Sequence, residues 1–275
     1  MTVEGERTDK PLTLMAVHAH PDDEATSTGG ILARYSAEGV QTILVTCTNG
    51  EQGDAPGGIK PGEDGHHPEE VAAVRLAELR TSAALLGISH LELLDYRDSG
   101  MDGWVSNKDP GVFCNVPLAD VSSRVAELMR YYRPQVVVTY DENGNYGHPD
   151  HIQAHRAAVA AAESSGIPAK VYYPAVPRSG FLQIREMLRS SGINDEFDVP
   201  DDFGVPDEKI TTVIDVSSYV GQKREALAAH ASQTQNFFFN RIPDDVVTVM
   251  LSREYYTLRS APDGQAREDD LFAGL

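Results

Sequence analysis

Two short clusters of histidines and acidic residues are the parts of this chain best equipped for chemistry. The first is Val17 to Glu24, Val-His-Ala-His-Pro-Asp-Asp-Glu, which follows an apolar run directly. The second is Tyr146 to His151, Tyr-Gly-His-Pro-Asp-His, far downstream. Imidazole and carboxylate are ligands of a hydrolytic zinc ion, which takes three protein ligands and keeps one position for water. Both clusters are too polar for a hydrophobic core, and together they predict a metal site with its acid–base groups.

Several side chains of these clusters could bind the metal or carry protons. The candidates are His18, His20, Asp22, Asp23, Glu24, His148, Asp150, His151 and His155. We expect His20 at the mouth of the site because the proline after it ends a strand, and His18 buried within that strand. His151 and His155 have the spacing of a zinc-binding helical pair, but the glutamate of that motif is absent, so His155 is expected outside the ligand set.

The surrounding sequence alternates between apolar strands and amphipathic helices. Strands are predicted over 12–19, 40–46, 91–95, 134–140, 170–173 and 211–216, and helices over about 30–38, 68–86, 117–132, 150–164 and 217–231. This alternation is typical of an α/β fold, here a Rossmann-like, mainly parallel sheet flanked by helices. Both clusters fall just past the carboxyl ends of predicted strands, which is where open α/β sheets bind their ligands. Long loops at 49–67 and 97–115 are expected at the same edge.

The predicted domain organisation is simple. Residues 1–11 are expected to be a disordered lead-in, and residues 12–275 a single domain. An acidic stretch at about 178–208 is expected to form an irregular insertion, and Phe237 to Phe239 to belong to the core or a lid.

Charge and cysteine content exclude several classes of function. The formal net charge is −19, which argues against binding nucleic acid or an anionic membrane. Cys47 and Cys114 are the only cysteines and cannot make a disulfide framework, which favours a reducing compartment. Neither a signal sequence nor a membrane-spanning apolar run is evident. We therefore expect a cytoplasmic enzyme, and whether it forms a homo-oligomer stays open.

The two clusters also resemble a known family. Ala-His-Pro-Asp-Asp-Glu at 19–24, followed by Gly-His-Pro-Asp-His at 147–151, resembles the PIG-L (LmbE-like) zinc-dependent N-deacetylases. Thr-Asn-Gly-Glu-Gln-Gly at 48–53, Arg75 and Leu86-Gly87 fit the same family. The segments 98–101, 228–233 and 270–275 look like the mycothiol branch. That branch includes the N-acetylglucosaminyl-inositol deacetylase and the mycothiol S-conjugate amidase.

The resemblance implies a role for each matching residue. The metal ligands would be His20, Asp23 and His151. Asp22 would be the general base, and His148 would act as the acid or stabilise the oxyanion, with Asp150 orienting it. Tyr146 would polarise the substrate carbonyl. The substrate-binding residues would be Glu51, Arg75, Asp98 and His230, the last near the acyl pocket.

The chemistry also follows from the residue types. An amide resists water, so the nucleophile must be generated at neutral pH, and a zinc ion lowers the pKa of its water to about 7. A nearby carboxylate can take the proton, and a histidine or tyrosine can stabilise the oxyanion. The residue types thus predict metal-dependent amide hydrolysis, and the resemblance implies that the amide is an N-acyl group on a small amino sugar. Zinc is the expected metal, with iron(II) as the alternative.

Two other classes of function can be weighed against this prediction. Two histidines and one carboxylate also make the triad of a non-haem iron oxygenase. The second aspartate and the His148–Asp150 pair have no task in oxygen activation, however. A sugar-binding module would not need so many titratable groups in one place. A deacetylase of another N-acetylglucosaminide, of antibiotic or chitooligosaccharide type, stays open.

Overall fold

A central, mainly parallel β-sheet carries both clusters beyond the carboxyl ends of its strands. The computed structural model describes residues 11–190, 203–234, 242–260 and 266–275. The strands are β1 (Thr13–His18), β2 (Gln41–Thr48), β3 (His90–Tyr96), β4 (Val136–Val138), β5 (Lys170–Ala175), β6 (Thr212–Asp215) and β7 (Arg253–Leu258). They form one sheet in the order β3-β2-β1-β4-β5-β7-β6. Strands β1 to β5 pair in parallel, whereas β7 runs antiparallel to both β5 and β6.

Helices pack on both faces of this sheet. They are α1 (Asp23–Ser27), α2 (Gly29–Ala37), α3 (Pro68–Leu85), α4 (Leu118–Tyr132), α5 (Gly144–Gly147), α6 (Pro149–Ser165), α7 (Arg178–Ser190), α8 (Val220–Ala229), α9 (Ala231–Thr234) and α10 (Asp244–Leu251). Within the described residues, no helix is long and apolar enough to cross a membrane.

Strand β1 shows why the sheet must be covered on both sides. Successive side chains of a strand point to opposite faces. Leu14 and Ala16 belong to one hydrophobic cluster, and Met15 and Val17 to another on the opposite face. All four side chains are fully buried. A strand without alternating polar residues is the pattern of a central parallel strand, so the predicted class, a mainly parallel sheet flanked by helices, is confirmed.

The strand order decides which loops meet. Strand β1 lies between β2 and β4, so the segments after β1 and after β4 leave the sheet side by side. Helix α6 then starts with Pro149 at its first position and ends at Gly166, whose φ of 61° is left-handed. The two clusters are therefore adjacent in space although they are far apart in sequence.

The structure corrects the prediction at several elements. Part of the predicted irregular segment at 178–208 is the helix α7. Ser179 lies in the first turn of α7, and its backbone N–H and hydroxyl both donate to the Asp207 carboxylate. This contact joins residues 28 positions apart, so no local pattern reveals it. Helices α1 and α10 and strand β7 were not predicted. The predicted lead-in, except for Pro11, and the predicted core or lid at 237–239 lie outside the described residues.

Candidate metal and acid–base site

The turn after β1 carries the first cluster into the site. His18 ends the strand, and its Nε2 hydrogen-bonds with Thr28 Oγ1, so it is a buried structural residue as expected. Asp22 has a φ of 120°, an unusual backbone conformation for a residue with a side chain. Helix α1 begins directly after it, at Asp23. The sharp turn at Asp22 places its carboxylate and that of Asp23 at the same cavity.

The structure brings the three predicted metal ligands together. His20 Nδ1 lies 3.3 Å from Asp23 Oδ2, and His151 Nε2 lies 3.5 Å from Asp23 Oδ1. The two imidazole nitrogens, His20 Nδ1 and His151 Nε2, are 3.2 Å apart. All three side chains are buried. One carboxylate and two imidazoles therefore converge on one small volume, as a three-ligand metal site requires.

The other side of the His20 ring is held by carboxylates. Its Nε2 lies 3.2 Å from Asp150 Oδ2 and 3.6 Å from Asp98 Oδ1. A proton on Nε2 satisfies these acceptors, so in the neutral ring, the form that binds a metal, the Nδ1 lone pair faces Asp23 and His151. A carboxylate behind a histidine ligand commonly fixes its tautomer in this way.

The charges around His20 also fit a cation. Burial alone would lower the pKa of His20, yet Asp98, Asp150 and Asp23 hold it well above its ordinary value. Burial would likewise raise the pKa of Asp23, but His151 and His20 hold it well below its usual range. The cluster thus has an excess of negative charge that a bound metal ion would balance. Two further combinations of three residues have ligand atoms within 4.8 Å of one another. They are His20, His148 and His151, and His20, Asp98 and Asp150.

Asp22 and Arg75 form the next layer of the site. Arg75 Nη2 donates to Asp22 Oδ2 at 3.0 Å, and the guanidinium also donates to the carbonyl oxygens of Pro21 and Gly50. Burial, together with the negative charge of Asp23, raises the pKa of Asp22 to about 6. A carboxylate with a pKa near neutrality is suited to accept a proton and to return it.

His148 and Tyr146 close the site from the second cluster. The backbone N–H of Asp150 donates to His148 Nδ1 at 3.1 Å, so the proton of the neutral ring is on Nε2. Burial and the neighbouring His20 and His151 rings lower the pKa of His148 to about 4. Tyr146 is half exposed, with its ring edge against His151 at a centroid distance of 5.0 Å. Both side chains line the cavity and can present an N–H or O–H donor to a substrate.

The side chain of Asp150 does not do what the resemblance implied. Only its backbone N–H contacts His148, whereas its carboxylate accepts from Ser99 and faces His20 Nε2. Asp150 lies in the first turn of α6, and both oxygens of its carboxylate are occupied by Ser99 and His20. Asp150 therefore orients His20, and it holds His148 through the main chain alone.

The predicted substrate-binding residues divide into two groups. The cavity, about 160 Å³ in volume, is lined by His20, Asp22, Asp23, Gln52, Gly53, Arg75, Asp98, Gly100, Met101, Trp104, Tyr146 and His148. Arg75 and Asp98 are thus at the cavity, and their contact with the substrate stays a prediction. Glu51 is buried, and its Oε1 lies 4.0 Å from Arg97 Nε. It is outside the cavity lining, whereas the next two residues, Gln52 and Gly53, line the cavity.

His230 corrects the sequence-based expectation most clearly. Its ring is fully buried, and Nε2 lies 2.6 Å from Glu24 Oε1. Burial would lower its pKa, but the bond to Glu24 holds the pKa of His230 above its ordinary value. Glu24 Oε2 in turn accepts the backbone N–H of Asp22 at 3.0 Å. His230 therefore supports the turn that carries Asp22 from behind and lies outside the cavity lining.

Two site residues were missed from the sequence. The Tyr140 hydroxyl donates to Asp23 Oδ2 at 2.7 Å and accepts from the backbone N–H of Ala19 at 2.7 Å. Ser99 donates to the Asp150 carboxylate through its backbone N–H at 2.9 Å and through its hydroxyl. Tyr140 ends a predicted buried strand and was taken only as part of it, and nothing in the spacing of either residue indicates a contact with the metal ligands.

Comparison with known proteins shows which family and which named enzymes this sequence is similar to. Residues 15–162 match the family model described as PIG-L: GlcNAc-PI de-N-acetylase. The chain is 40% identical over 289 residues to a 1D-myo-inositol 2-acetamido-2-deoxy-alpha-D-glucopyranoside deacetylase of Geodermatophilus obscurus, covering 95% of this chain and 97% of the relative. It is 41% identical over 282 residues to the enzyme of the same name from Acidothermus cellulolyticus, covering 96% and 95%.

Solved structures show the same fold at lower identity. The N,N'-diacetylchitobiose deacetylase of Pyrococcus horikoshii has a TM-score of 0.58 at 19% identity, covering 90% of this chain and 83% of that one. The 4-carboxy-2-hydroxymuconate hydratase of Pseudomonas putida has a TM-score of 0.57 at 17% identity, covering 92% and 98%. Since one of these enzymes is a deacetylase and the other a hydratase, the fold alone does not decide the reaction.

Proposed function

The chain belongs to the PIG-L family of de-N-acetylases, and on that basis we propose that it removes the acetyl group from N-acetylglucosaminyl-inositol. Family membership confirms the predicted resemblance and the predicted enzyme class, a deacetylase. The substrate is proposed from the relatives that match this chain almost end to end. The observation that carries the proposal is the convergence of His20, Asp23 and His151 beside Asp22.

The metal would be held by His20, Asp23 and His151. We propose zinc, because two imidazoles and one carboxylate with room for water form a common catalytic zinc site. When bound, the ion would make its water acidic and polarise the substrate carbonyl. Metal analysis of the purified protein by inductively coupled plasma mass spectrometry would identify it, and iron in place of zinc would change only this part of the proposal.

Asp22 is proposed as the general base. Its carboxylate lines the cavity next to the ligand Asp23, and Arg75 fixes its orientation. In its charged form it takes a proton from the attacking water, and it can pass that proton on to the leaving amine. A well-placed general base contributes about 10²- to 10⁴-fold to the rate.

His148 and Tyr146 are proposed to act on the substrate carbonyl. The Nδ1 atom of His148 is occupied by the Asp150 N–H, so its Nε2–H is the donor available to the developing oxyanion. Tyr146 adds a hydroxyl on the same side of the cavity. Arg75 and Asp98 are proposed to contact hydroxyl groups of the sugar or the inositol.

The test measures primary-amine release from N-acetylglucosaminyl-inositol and, in parallel, from a mycothiol S-conjugate, each with and without a chelator. Chelator-sensitive release from the first compound is the expected result. Release from the conjugate alone would move the substrate to that class. Release from neither would reject the inositol assignment and leave another N-acetylglucosaminide as the substrate. Activity that disappears without oxygen would instead support the iron-oxygenase alternative.

The place of action is proposed separately. The cysteines Cys47 and Cys114 are both free thiols in the described structure, as a reducing compartment favours. We therefore propose a cytoplasmic enzyme acting on a small molecule, and fractionation of the native host cells would test this.

A further inference from the structure

An exposed tryptophan stands at the mouth of the catalytic cavity. Trp104 is 39% exposed, and it lines the same cavity as His20 and Asp22. Met101 and Tyr146, also exposed, line that cavity with it. Contiguous exposed apolar side chains on a soluble protein commonly mark a binding surface. The mechanism proposed above gives Trp104 no task.

The loop under Trp104 is well braced. The hydroxyl of Ser106 and the side-chain amide of Asn107 both donate to the carbonyl oxygen of Ser99 at 2.7 Å. The indole packs against Gly100, where an added Cβ would lie 2.5 Å from Trp104 Cε3. Since Gly100 also has a φ of 71°, a side chain is excluded there for two reasons. The loop that carries the exposed ring is therefore braced, and the ring itself rests against Gly100.

The same loop is tied to the metal ligands. The backbone N–H of Ser99 donates to Asp150 at 2.9 Å, and Asp150 lies 3.2 Å from His20 Nε2. These contacts fix the position of the indole relative to the reacting centre. A rigid aromatic surface at a set position beside a catalytic site can hold a substrate in register.

We propose that Trp104 is a stacking surface for a saturated, hydroxylated ring of the substrate. Such a ring carries its hydroxyls around the edge and C–H groups on its faces, and the negative face of an indole attracts those C–H groups. Trp104 thereby selects ring-bearing N-acetyl amines over acyclic ones. This inference rests on the proposed function, because it concerns the substrate of that same site.

The sequence contains one tryptophan, so intrinsic fluorescence reports on Trp104 directly. The first experiment titrates the metal-loaded wild-type protein with glucosaminyl-inositol, the deacetylated product, and follows the emission spectrum. A saturable change in intensity or wavelength is expected. Val105→Ala is the matched control, because Val105 is the next residue, is 83% exposed and lies outside the cavity lining. This variant should respond as the wild type does.

The second experiment separates binding from chemistry. Trp104→Ala should raise KM for N-acetylglucosaminyl-inositol roughly 3- to 10-fold, with kcat and metal content almost unchanged. Trp104→Phe keeps an aromatic face and should recover most of the loss. An acyclic N-acetyl amine should show no difference between the wild type and Trp104→Ala.

Three results would overturn the inference. They are an unchanged spectrum on titration of a wild-type enzyme that turns over, an unchanged KM in Trp104→Ala, and a loss in Trp104→Ala that Phe does not restore. If the wild type releases no amine, the proposed function fails by itself. A saturable fluorescence change with glucosaminyl-inositol would then still support the stacking surface, and an unchanged spectrum would reject it.

Discussion

Two buried carboxylates of this protein are surrounded in opposite ways. Glu254, at the start of β7, accepts hydrogen bonds with both of its oxygens. Oε1 accepts from the Gly30 N–H at 2.7 Å and from Lys223 Nζ at 2.6 Å. Oε2 accepts from the Ile31 N–H at 2.9 Å and from the Tyr256 hydroxyl at 2.8 Å. Lys223 balances the charge of Glu254, and the two backbone N–H groups join β7 to the start of α2. Since both oxygens are occupied by donors, Glu254 has little capacity left for a ligand.

Asp23 has donors on one side only. Its Oδ2 accepts hydrogen bonds from the backbone N–H of His20 and from the Tyr140 hydroxyl. Its Oδ1 faces His151 Nε2 at 3.5 Å, and burial lowers the pKa of His151 to about 4, so that ring is neutral at pH 7. A carboxylate whose oxygens are all occupied by donors is structural, whereas one with an oxygen that faces a neutral imidazole fits a cation. Burial is the same in both regions, and the arrangement of donors and acceptors makes the difference.

The largest expected effect comes from removing the His151 imidazole, which faces Asp23. His151→Ala should lose metal binding and with it essentially all turnover, because two ligands do not complete the site. Metal content after dialysis checks this by inductively coupled plasma mass spectrometry. His155→Ala, one helical turn away, is the control and should keep its metal. Full metal content in His151→Ala would remove this residue from the ligand set.

The base can be separated from the ligands. Asp22→Asn should keep the metal and lose about 10²- to 10⁴-fold in kcat, because the amide cannot take the proton. Circular dichroism and metal content should match the wild type, since the side chain keeps its shape. An Asn variant with wild-type turnover would contradict the assignment of Asp22 as base.

A substitution at Glu254, whose two oxygens are occupied by donors, should affect stability rather than chemistry. Glu254→Gln leaves Lys223 buried without its counter-charge and should lower the free energy of unfolding by about 3–5 kcal/mol. Urea denaturation measures this loss, and metal content at 25 °C should not change. Adding Lys223→Met should recover part of the stability, because the unpaired charge is removed. No recovery in the double variant would mean that the hydrogen bonds, and not the charge, set the cost.

An exposed ion pair supplies the smallest expected effect. Arg34 Nε and Glu38 Oε1 are 2.9 Å apart on the surface of α2. Glu38→Gln should change the free energy of unfolding by about 0–1 kcal/mol, because water screens such pairs. A loss in this variant as large as in Glu254→Gln would contradict the explanation that the Glu254→Gln loss comes from leaving a buried charge unpaired.

Much of this architecture could be predicted from the chain alone. The buried strands and most helices follow from hydrophobic patterns, which depend on residues close together in sequence. Strand β7 and helix α7 escaped prediction because they depend on distant partners. Strand β7 contains the charged Arg253 and Glu254, and donors from distant segments, Lys223 among them, make the Glu254 carboxylate acceptable in the interior.

The sequence by itself determined the chemistry of the site, because the two His-Pro-Asp motifs supply the residue types and each lies beyond the carboxyl end of a strand. The tertiary structure decided which atoms meet. His20 and Asp150 are 130 positions apart, and they are neighbours because β1 pairs with β4. That same pairing turns the Asp150 carboxylate toward His20, and the packing behind the Asp22 turn buries His230. Side-chain direction depends on contacts between distant segments, and these form only when the sheet assembles.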